Sequence, residues 1–508
     1  MKTFLLYRDR DVDWDRALPE NAEDLVADLG LAALIQAMAA DDKTIGPIAA
    51  KVLLWGLPGV DSILYRQSIL RDCLAHPDIV RTIYERAGEA IENESRNFWG
   101  IRSKHAGSIL RRASEVLRMF FGILRELRAT ARQHGGAFES EGFSRFFAML
   151  QNELDDEYLG EVSRELRAVE FRGGMLMTAR LGPGNHGTEY VLRDFDRAPQ
   201  NWFQRLFAPR EPGFTFQLHP RDESGARALS ELGDRGVNLV ADALAQSADH
   251  ILAFFQALHD ELAFYVGCIN LHERLSGKEE PLCFPVPQEA DARVYRACGL
   301  YDPILALSTS QRAVGNEAYA TGKMMIIITG ANQGGKSTFL RSLGIAQLMM
   351  ACGMFVPADA FSASLCKGLF THYKREEDVD MESGKFDEEL RRMSGLADHL
   401  SPGALLLFNE SFAATNDREG SEIARQIVEA LVDSGVRVGF VTHLYEFAHR
   451  LWDERREEAL FLRADRRDDG ERTFKLREGE PLPTSYGEDI YRRVFGAELA
   501  PSGIPRNA

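Results

Sequence analysis

Basic charge is in short supply. Lys and Arg number 60 against 77 Asp and Glu, a formal net charge of -17, which argues against a chain that coats nucleic acid nonspecifically and leaves only a local basic surface for that role. Cysteine is sparse as well. Cys73, Cys268, Cys283, Cys298, Cys352 and Cys366 include no C-x-x-C pair and no metal-ligand spacing, so a disulfide framework or a zinc site is not expected and reduced, mostly buried thiols are. Long apolar runs are missing too. The segment Met1 to Asp9 meets charge before a secretory core can form, and no apolar stretch approaches the roughly 18 residues that span a bilayer. No membrane and a cytoplasmic location are therefore expected.

What is present is size and pattern. With 508 residues, 45% of them hydrophobic, there is room for about three domains. From about Asn21 to Gly160 apolar residues recur at spacings of three and four, as in Ile109, Leu110, Ala113, Val116, Leu117, Phe120, Leu124 and Leu127, which predicts a helix-rich region. Between Val169 and Pro220 two β-prone runs flank the turn-rich Gly182 to Gly187, which predicts a hairpin. One long helix is expected over about Ala226 to Leu275, reaching roughly 75 Å at 1.5 Å per residue. Its seam of Leu244, Ala248, Ile251, Phe255, Leu258, Leu262, Tyr265 and Ile269 is the ordinary mark of a coiled coil or helix bundle. Beyond Pro281 the pattern becomes α/β, with buried strands at Met324 to Thr329, Ala404 to Phe408 and Val436 to Val441, and helices at Thr338 to Met350 and Gly420 to Asp433. That alternation predicts a doubly wound sheet.

The chemistry gathers at strand ends. Gly330-Ala331-Asn332-Gln333-Gly334-Gly335-Lys336-Ser337, with Thr338 behind it, follows a buried strand and opens a helix. Glycines there let backbone N–H groups close around phosphates, Lys336 neutralises charge, Ser337 ligates Mg²⁺, and the helix directs its positive end at the site. ATP or GTP binding is the expectation. Phosphoryl transfer to water also needs a carboxylate near the attacking water. Glu410, at the end of Leu405-Leu406-Leu407-Phe408-Asn409, is the candidate general base or water-orienting group and lies beside the metal position. Asn409 stands where most such ATPases have Asp and acts on the metal only indirectly, which predicts slow hydrolysis. His443, just past Gly439-Phe440-Val441-Thr442, is placed to hydrogen-bond the γ-phosphate or the attacking water.

Together these motifs resemble the MutS family of DNA-repair ATPases. The resemblance is carried by Thr329 to Thr338, Phe355-Val356-Pro357-Ala358, the Glu410 to Gly420 loop, Val441-Thr442-His443 and Ser485-Tyr486-Gly487, and more loosely by Tyr65 to Asp72 and Leu262-Ala263-Phe264-Tyr265. It implies a multidomain chain: a helical core/lever domain at 1–168, a small β-containing clamp-like insert at 169–221, a returning lever helix at 222–280, and an α/β P-loop (ABC-like) ATPase domain at 281–508. It also implies ATP and Mg²⁺ as cofactors, a homodimer, double-stranded or branched DNA as partner and a repair-protein partner of unknown identity. In the insert, seven arginines, Arg172, Arg180, Arg193, Arg197, Arg205, Arg210 and Arg221, stand against five acids, which suggests a DNA contact, whereas Trp202, Phe203 and Phe207 are read as packing a small core.

Departures from the family pattern are informative. The Phe-x-Glu triplets, Phe386-Asp387-Glu388 and Phe408-Asn409-Glu410, both fall inside the ATPase region, so a mismatch reader and mismatch selectivity are not expected. Asp380 to Leu390 resembles the signature that reaches the partner's nucleotide but lacks a Ser after Gly384-Lys385, leaving Ser383 or Lys385 as substitutes. Thr415-Asn416-Asp417 occupies the loop that communicates between sites, Phe461 to Arg463 and Thr473 to Leu476 resemble a closing hairpin, and no appended nuclease domain is expected. The leading reading is a slow DNA-dependent ATP hydrolase in mismatch repair or a related repair or recombination process. A nucleotide-dependent scaffold with negligible hydrolysis is the rival. A transport or chromosome-associated ABC-like ATPase is disfavoured by the lack of an extended Leu-Ser-Gly-Gly-Gln signature.

Overall fold

The computed structural model describes residues 1–98, 106–169, 171, 176–185, 187–193, 219, 221–375, 384–467 and 472–483. Asp380 to Ser383, the insert's Trp202, Phe203, Phe207, Arg172, Arg197, Arg205 and Arg210, and Ser485-Tyr486-Gly487 lie outside the described residues. The chain forms two compact units, each discontinuous in sequence: one of Met1–Phe4, Asp78–Glu139 and Phe143–Glu261, the other of Leu5–Pro77, Ser140–Gly142 and Leu262–Ala508.

The first unit is mainly helical. Helices Ala106–His134 and Glu223–Ser276 bring together Ala106, Leu110, Val237 and Ala241, and Phe120 meets Phe255 with ring centroids 5.2 Å apart. The helix Glu223–Ser276 runs for 54 residues and supplies residues to both units. Strands β1 (Leu176–Leu181) and β2 (Gly187–Arg193) form an antiparallel hairpin. Gly236 lets the hairpin sit on the long helix, since a Cβ there would fall 1.9 Å from Met177 Sδ.

The second unit holds two sheets. Strands β3 (Val286–Gln288), β4 (Tyr295–Leu300), β5 (Asn316–Tyr319) and β7 (Ala360–Ser364) make a mixed sheet in the order β3-β7-β4-β5. The larger sheet contains β6 (Met325–Gly330), β8 (Leu369–Tyr373), β9 (Leu405–Asn409), β10 (Arg437–Val441), β11 (Ala459–Arg466) and β12 (Arg472–Glu478), ordered β12-β11-β6-β10-β9-β8. All neighbours in it run parallel except β11 and β12. β6 is buried along its apolar run because it is central and covered on both faces.

On one face of this sheet Phe408 and Phe440 stack at 4.8 Å, and Phe447 of the helix Tyr445–Arg455 packs on Phe440, with the helix Asp417–Asp433 sharing the same core. On the other face the helix Lys336–Ala351 comes close because Gly439 lacks a Cβ, which would lie 2.8 Å from Leu407 Cδ2 and 3.2 Å from Leu340 Cδ1. The helix is also tied to the four-stranded region. Arg341 Nε donates to Asp302 Oδ2 at 2.6 Å, and Asp302 Oδ1 caps the helix Pro303–Ser308. Arg66 is buried without a carboxylate in the contacts described; it donates to the carbonyls of Leu6 and Cys352 and lies over the rings of Tyr7 and Phe264. This arrangement meets the hydrogen-bonding need of a buried guanidinium.

Candidate nucleotide site

Strand order makes the site. β10 lies between β6 and β9, so the residues just after three parallel strands converge at the carboxyl edge of the sheet, where open α/β sheets bind ligands. Gly330 ends β6 and Ala331 to Gly335 follow it, Asn409 ends β9 and Glu410 follows it, and His443 lies just past β10.

In the loop after β6, Gln333 and Gly335 have φ of 58° and 86°, and Gly335 is the N-cap of the helix that begins at Lys336. Two glycines are needed for closeness. A Cβ on Gly334 would lie 2.6 Å from Ala464 Cβ, and one on Gly330 would lie 2.9 Å from the Ala464 nitrogen. Lys336 Nζ donates to the carbonyls of Gly330 at 3.1 Å and Ala331 at 2.9 Å. Its side chain is buried, and burial pushes the ammonium pKa down to about 8, with Glu410 opposing the shift and Arg472 adding to it.

Ser337 Oγ donates to Asn409 Oδ1 at 2.8 Å. His443 Nε2 is 2.9 Å from Glu410 Oε1, and this hydrogen bond is the chief reason the Glu410 carboxyl titrates below its ordinary value; burial opposes it. Glu410 and Phe412 both adopt left-handed backbone, with φ of 55° and 65°, a conformation that costs a side-chain-bearing residue on the order of 1 kcal/mol or more and collects at functional sites. The turn is held at one end by the Glu410 amide, which donates to the Val441 carbonyl at 2.9 Å.

These contacts bring together the sequence-predicted Lys336, Ser337, Asn409, Glu410 and His443. In the 415–417 loop, Asn416 Oδ1 caps the helix Asp417–Asp433 by accepting from the Glu419 amide at 3.0 Å, and Thr415 Oγ1 donates to Glu419 at 2.8 Å. Gly384 is the N-cap of the helix Lys385–Ala397. The predicted closing hairpin is β11 and β12.

Several residues at the site escape sequence reasoning. Asn316, on the other sheet, accepts from the Leu476 amide at 2.7 Å and donates to the Phe474 carbonyl at 3.1 Å, holding β12 so that Phe474 lies beside Gly335. Arg472 acts electrostatically on Lys336. Behind the Glu410 turn, His372 is buried and its imidazole is driven to about 4, mainly by burial. None carries a local signal, because each partner is far away along the chain.

Ser337 Oγ and Asn409 Oδ1 are neighbouring hard oxygen donors of the kind a divalent magnesium ion accepts, and a glycine-lined turn at a helix N-terminus suits phosphate. The residues present therefore fit a magnesium nucleotide.

Residues 59–278 match the model of the MutS2 N-terminal domain and residues 326–494 that of MutS domain V. The human protein "MutS protein homolog 4" is 31% identical over 150 residues, 29% of this chain and 16% of that protein. "DNA mismatch repair protein MutS" of Chloroflexus aurantiacus is 29% identical over 223 residues, 41% of this chain and 23% of that protein. "Endonuclease MutS2" of Solidesulfovibrio magneticus is 29% identical over 160 residues, 31% and 21% respectively. The matched part of this chain thus spans about a quarter or less of the length of these relatives. Among the described residues no helix is long and apolar enough to cross a membrane.

Proposed function

The chain belongs to the MutS family, and from that premise we propose that it is a DNA-associated ATPase that binds ATP with Mg²⁺ and hydrolyses it slowly. The observation that carries this reading is the convergence of Lys336, Ser337, Asn409, Glu410 and His443 at one sheet edge.

When bound, the magnesium ion would supply charge neutralisation on the phosphates, with Ser337 and, more remotely, Asn409 and Glu410 on its side of the site. The chain's own residues do the rest. Lys336 exchanges its carbonyl contacts for phosphate oxygens, and the amides of Gly330 to Thr338 and the helix N-terminus face the same charge. Glu410 Oε1 is engaged by His443, which orients the carboxylate and keeps it ionised so that Oε2 takes the proton of the attacking water. His443, beside Glu410, is positioned to sense which nucleotide is present.

In the same reading, two copies form a homodimer, the helix Glu223–Ser276 acts as a lever, and the 169–221 insert serves as a reduced clamp on double-stranded or branched DNA. Domain bounds of 1–168, 169–221, 222–280 and 281–508 belong to this reading, as does a role in mismatch repair or a related repair or recombination process. ATP turnover of the purified protein tests the nucleotide part: Lys336→Ala abolishes turnover, and equal turnover in the variant would refute it. Filter binding of homoduplex, mismatched and branched DNA, with and without ATP at two salt concentrations, tests the DNA part. Binding without preference for one mispair is expected.

A second reading rests on Asn409. An amide in place of the usual carboxylate favours a nucleotide-driven switch or scaffold with negligible turnover, which rapid hydrolysis by the parent protein would exclude.

A further inference from the structure

His372 on β8 is fully enclosed. Its Nδ1 is 2.8 Å from Ser411 Oγ, and its Nε2 is 3.2 Å from the Glu389 carbonyl. A neutral imidazole has one N–H, and a carbonyl only accepts, so the proton belongs on Nε2 and Nδ1 accepts. Ser411 Oγ also lies 2.6 Å from the carbonyl of His372 itself. The serine proton therefore has two acceptors, both on His372, and either choice binds Ser411 to that residue. The imidazole stacks on Phe412 at 5.5 Å, with an interplanar angle of 18°. Both residues that follow Glu410 are thus held by one residue, with its ring in contact with each.

Glu389 makes the other end of the connection. Its carbonyl is the group that His372 Nε2 reaches, while its buried carboxyl has no hydrogen-bond partner among the described residues and is pushed up from its ordinary pKa chiefly by burial. One turn further along the helix Lys385–Ala397, Arg392 donates to the Tyr373 carbonyl at 3.1 Å. The helix is fastened to β8 and to the Glu410 turn through His372, Glu389 and Arg392. Glu410 and Phe412, both in left-handed backbone, depend on such restraint to keep their conformation.

We propose that His372 is a positioning residue that couples the helix Lys385–Ala397 to the Glu410 turn, so that displacement of the helix is felt at the water-activating carboxylate. This rests on the reading of Glu410 as the group that acts on water. It concerns neither nucleotide affinity nor metal binding, because His372 lies behind the turn.

The test uses the full chain with His372→Phe, which keeps a ring against Phe412 but removes both polar contacts, with Ser411→Ala, the double variant, and His372→Gln, whose amide can still donate to the Glu389 carbonyl. Turnover gives kcat and KM, calorimetry gives MgATP affinity, and hydrogen exchange follows peptides of residues 385–397 and 409–412. Expected is a fall in kcat on the order of tenfold to a hundredfold in His372→Phe. MgATP affinity should stay within about twofold, partial recovery should appear in His372→Gln, and the double variant should be no worse than the worse single variant. Unchanged kcat in both single variants, or fully additive losses, overturns the proposal; if His372→Phe does not fold, Ser411→Ala alone decides. A parent that binds MgATP without turning it over refutes the hydrolytic reading separately. Exchange then decides the coupling: the two peptides should respond to MgATP together in the parent and independently in the variants, and independent responses in the parent would overturn it.

Discussion

Ser337 Oγ donates a 2.8 Å hydrogen bond to Asn409 Oδ1, joining the first turn of the P-loop helix to the end of β9. The amide accepts this bond as a carboxylate would, but brings no charge to the metal position. A unit charge about 4 Å from a cation is worth about 4 kcal/mol at an effective dielectric of ~20, so even a water-mediated fraction of it matters. Asn409→Asp should raise turnover by at least about tenfold, equivalent to about 1.4 kcal/mol, and should lower the magnesium concentration giving half-maximal rate. Identical magnesium titrations for parent and variant would count against a metal position beside Asn409.

Burial of Lys336 has a sign that can be measured. Its pKa falls from the usual 10.5 to about 8, so the folded protein holds this proton less tightly than the unfolded chain. The resulting destabilisation is fully present below pH 8 and is relieved as pH rises from about 8 to 10.5. Phosphate charge brought to Lys336 should raise its pKa again, so binding of MgATP near pH 8.5 should draw a proton from solution. Calorimetry in two buffers of different ionisation enthalpy reads that uptake. Lys336→Met should abolish binding without loss of thermal stability at pH 7; a strongly destabilised variant would contradict this account.

Glu410→Gln should reduce turnover by roughly a hundredfold or more, the usual worth of a general base, while leaving MgATP affinity nearly intact. His443 is the main cause of the lowered Glu410 pKa. The pair's stabilisation is therefore present above the usual carboxyl value of 4.5 and is lost as pH falls below it through the folded value. Removing the imidazole with His443→Asn should move the acid limb of the kcat profile to higher pH. A profile that drops in height with no shift of that limb would assign His443 to another task.

What the sequence discloses about this site follows its covalent neighbourhood. Lys336, Ser337, Asn409, Glu410 and His443 are legible because each is adjacent to an apolar run that can only be a buried strand. The convergence of the three strand ends depends on β10 lying between β6 and β9, an order that their succession along the chain does not state. Asn316 and Phe474, 158 residues apart, and His372 and Ser411, 39 apart, meet through tertiary folding and leave no periodic trace. The same limit applies to the division into units. Spacings of three and four reveal helices in residues 22–75, whereas only packing reveals that they share a unit with residues 262–508.

Gly420 ties the stability of the Glu410 turn to a helix that never touches the P-loop in the contacts described. It lies in the first turn of Asp417–Asp433, and a Cβ there would stand 2.4 Å from the Phe412 carbonyl oxygen. Phe412 already has φ of 65°, so the strained backbone has little freedom to retreat. Gly420→Ala should therefore cost about 1–3 kcal/mol, the scale of an overpacked site, and should lower turnover by displacing Glu410. Gly395 gives the opposite sign. It is exposed within the helix Lys385–Ala397 with nothing within 4 Å of a Cβ, so Gly395→Ala should stabilise the same unit by about 0.5–1 kcal/mol through helix propensity. Thermal unfolding of both variants beside the parent checks the pair. Equal midpoints for Gly420→Ala and the parent would mean that the turn yields freely and that its left-handed residues are not under restraint.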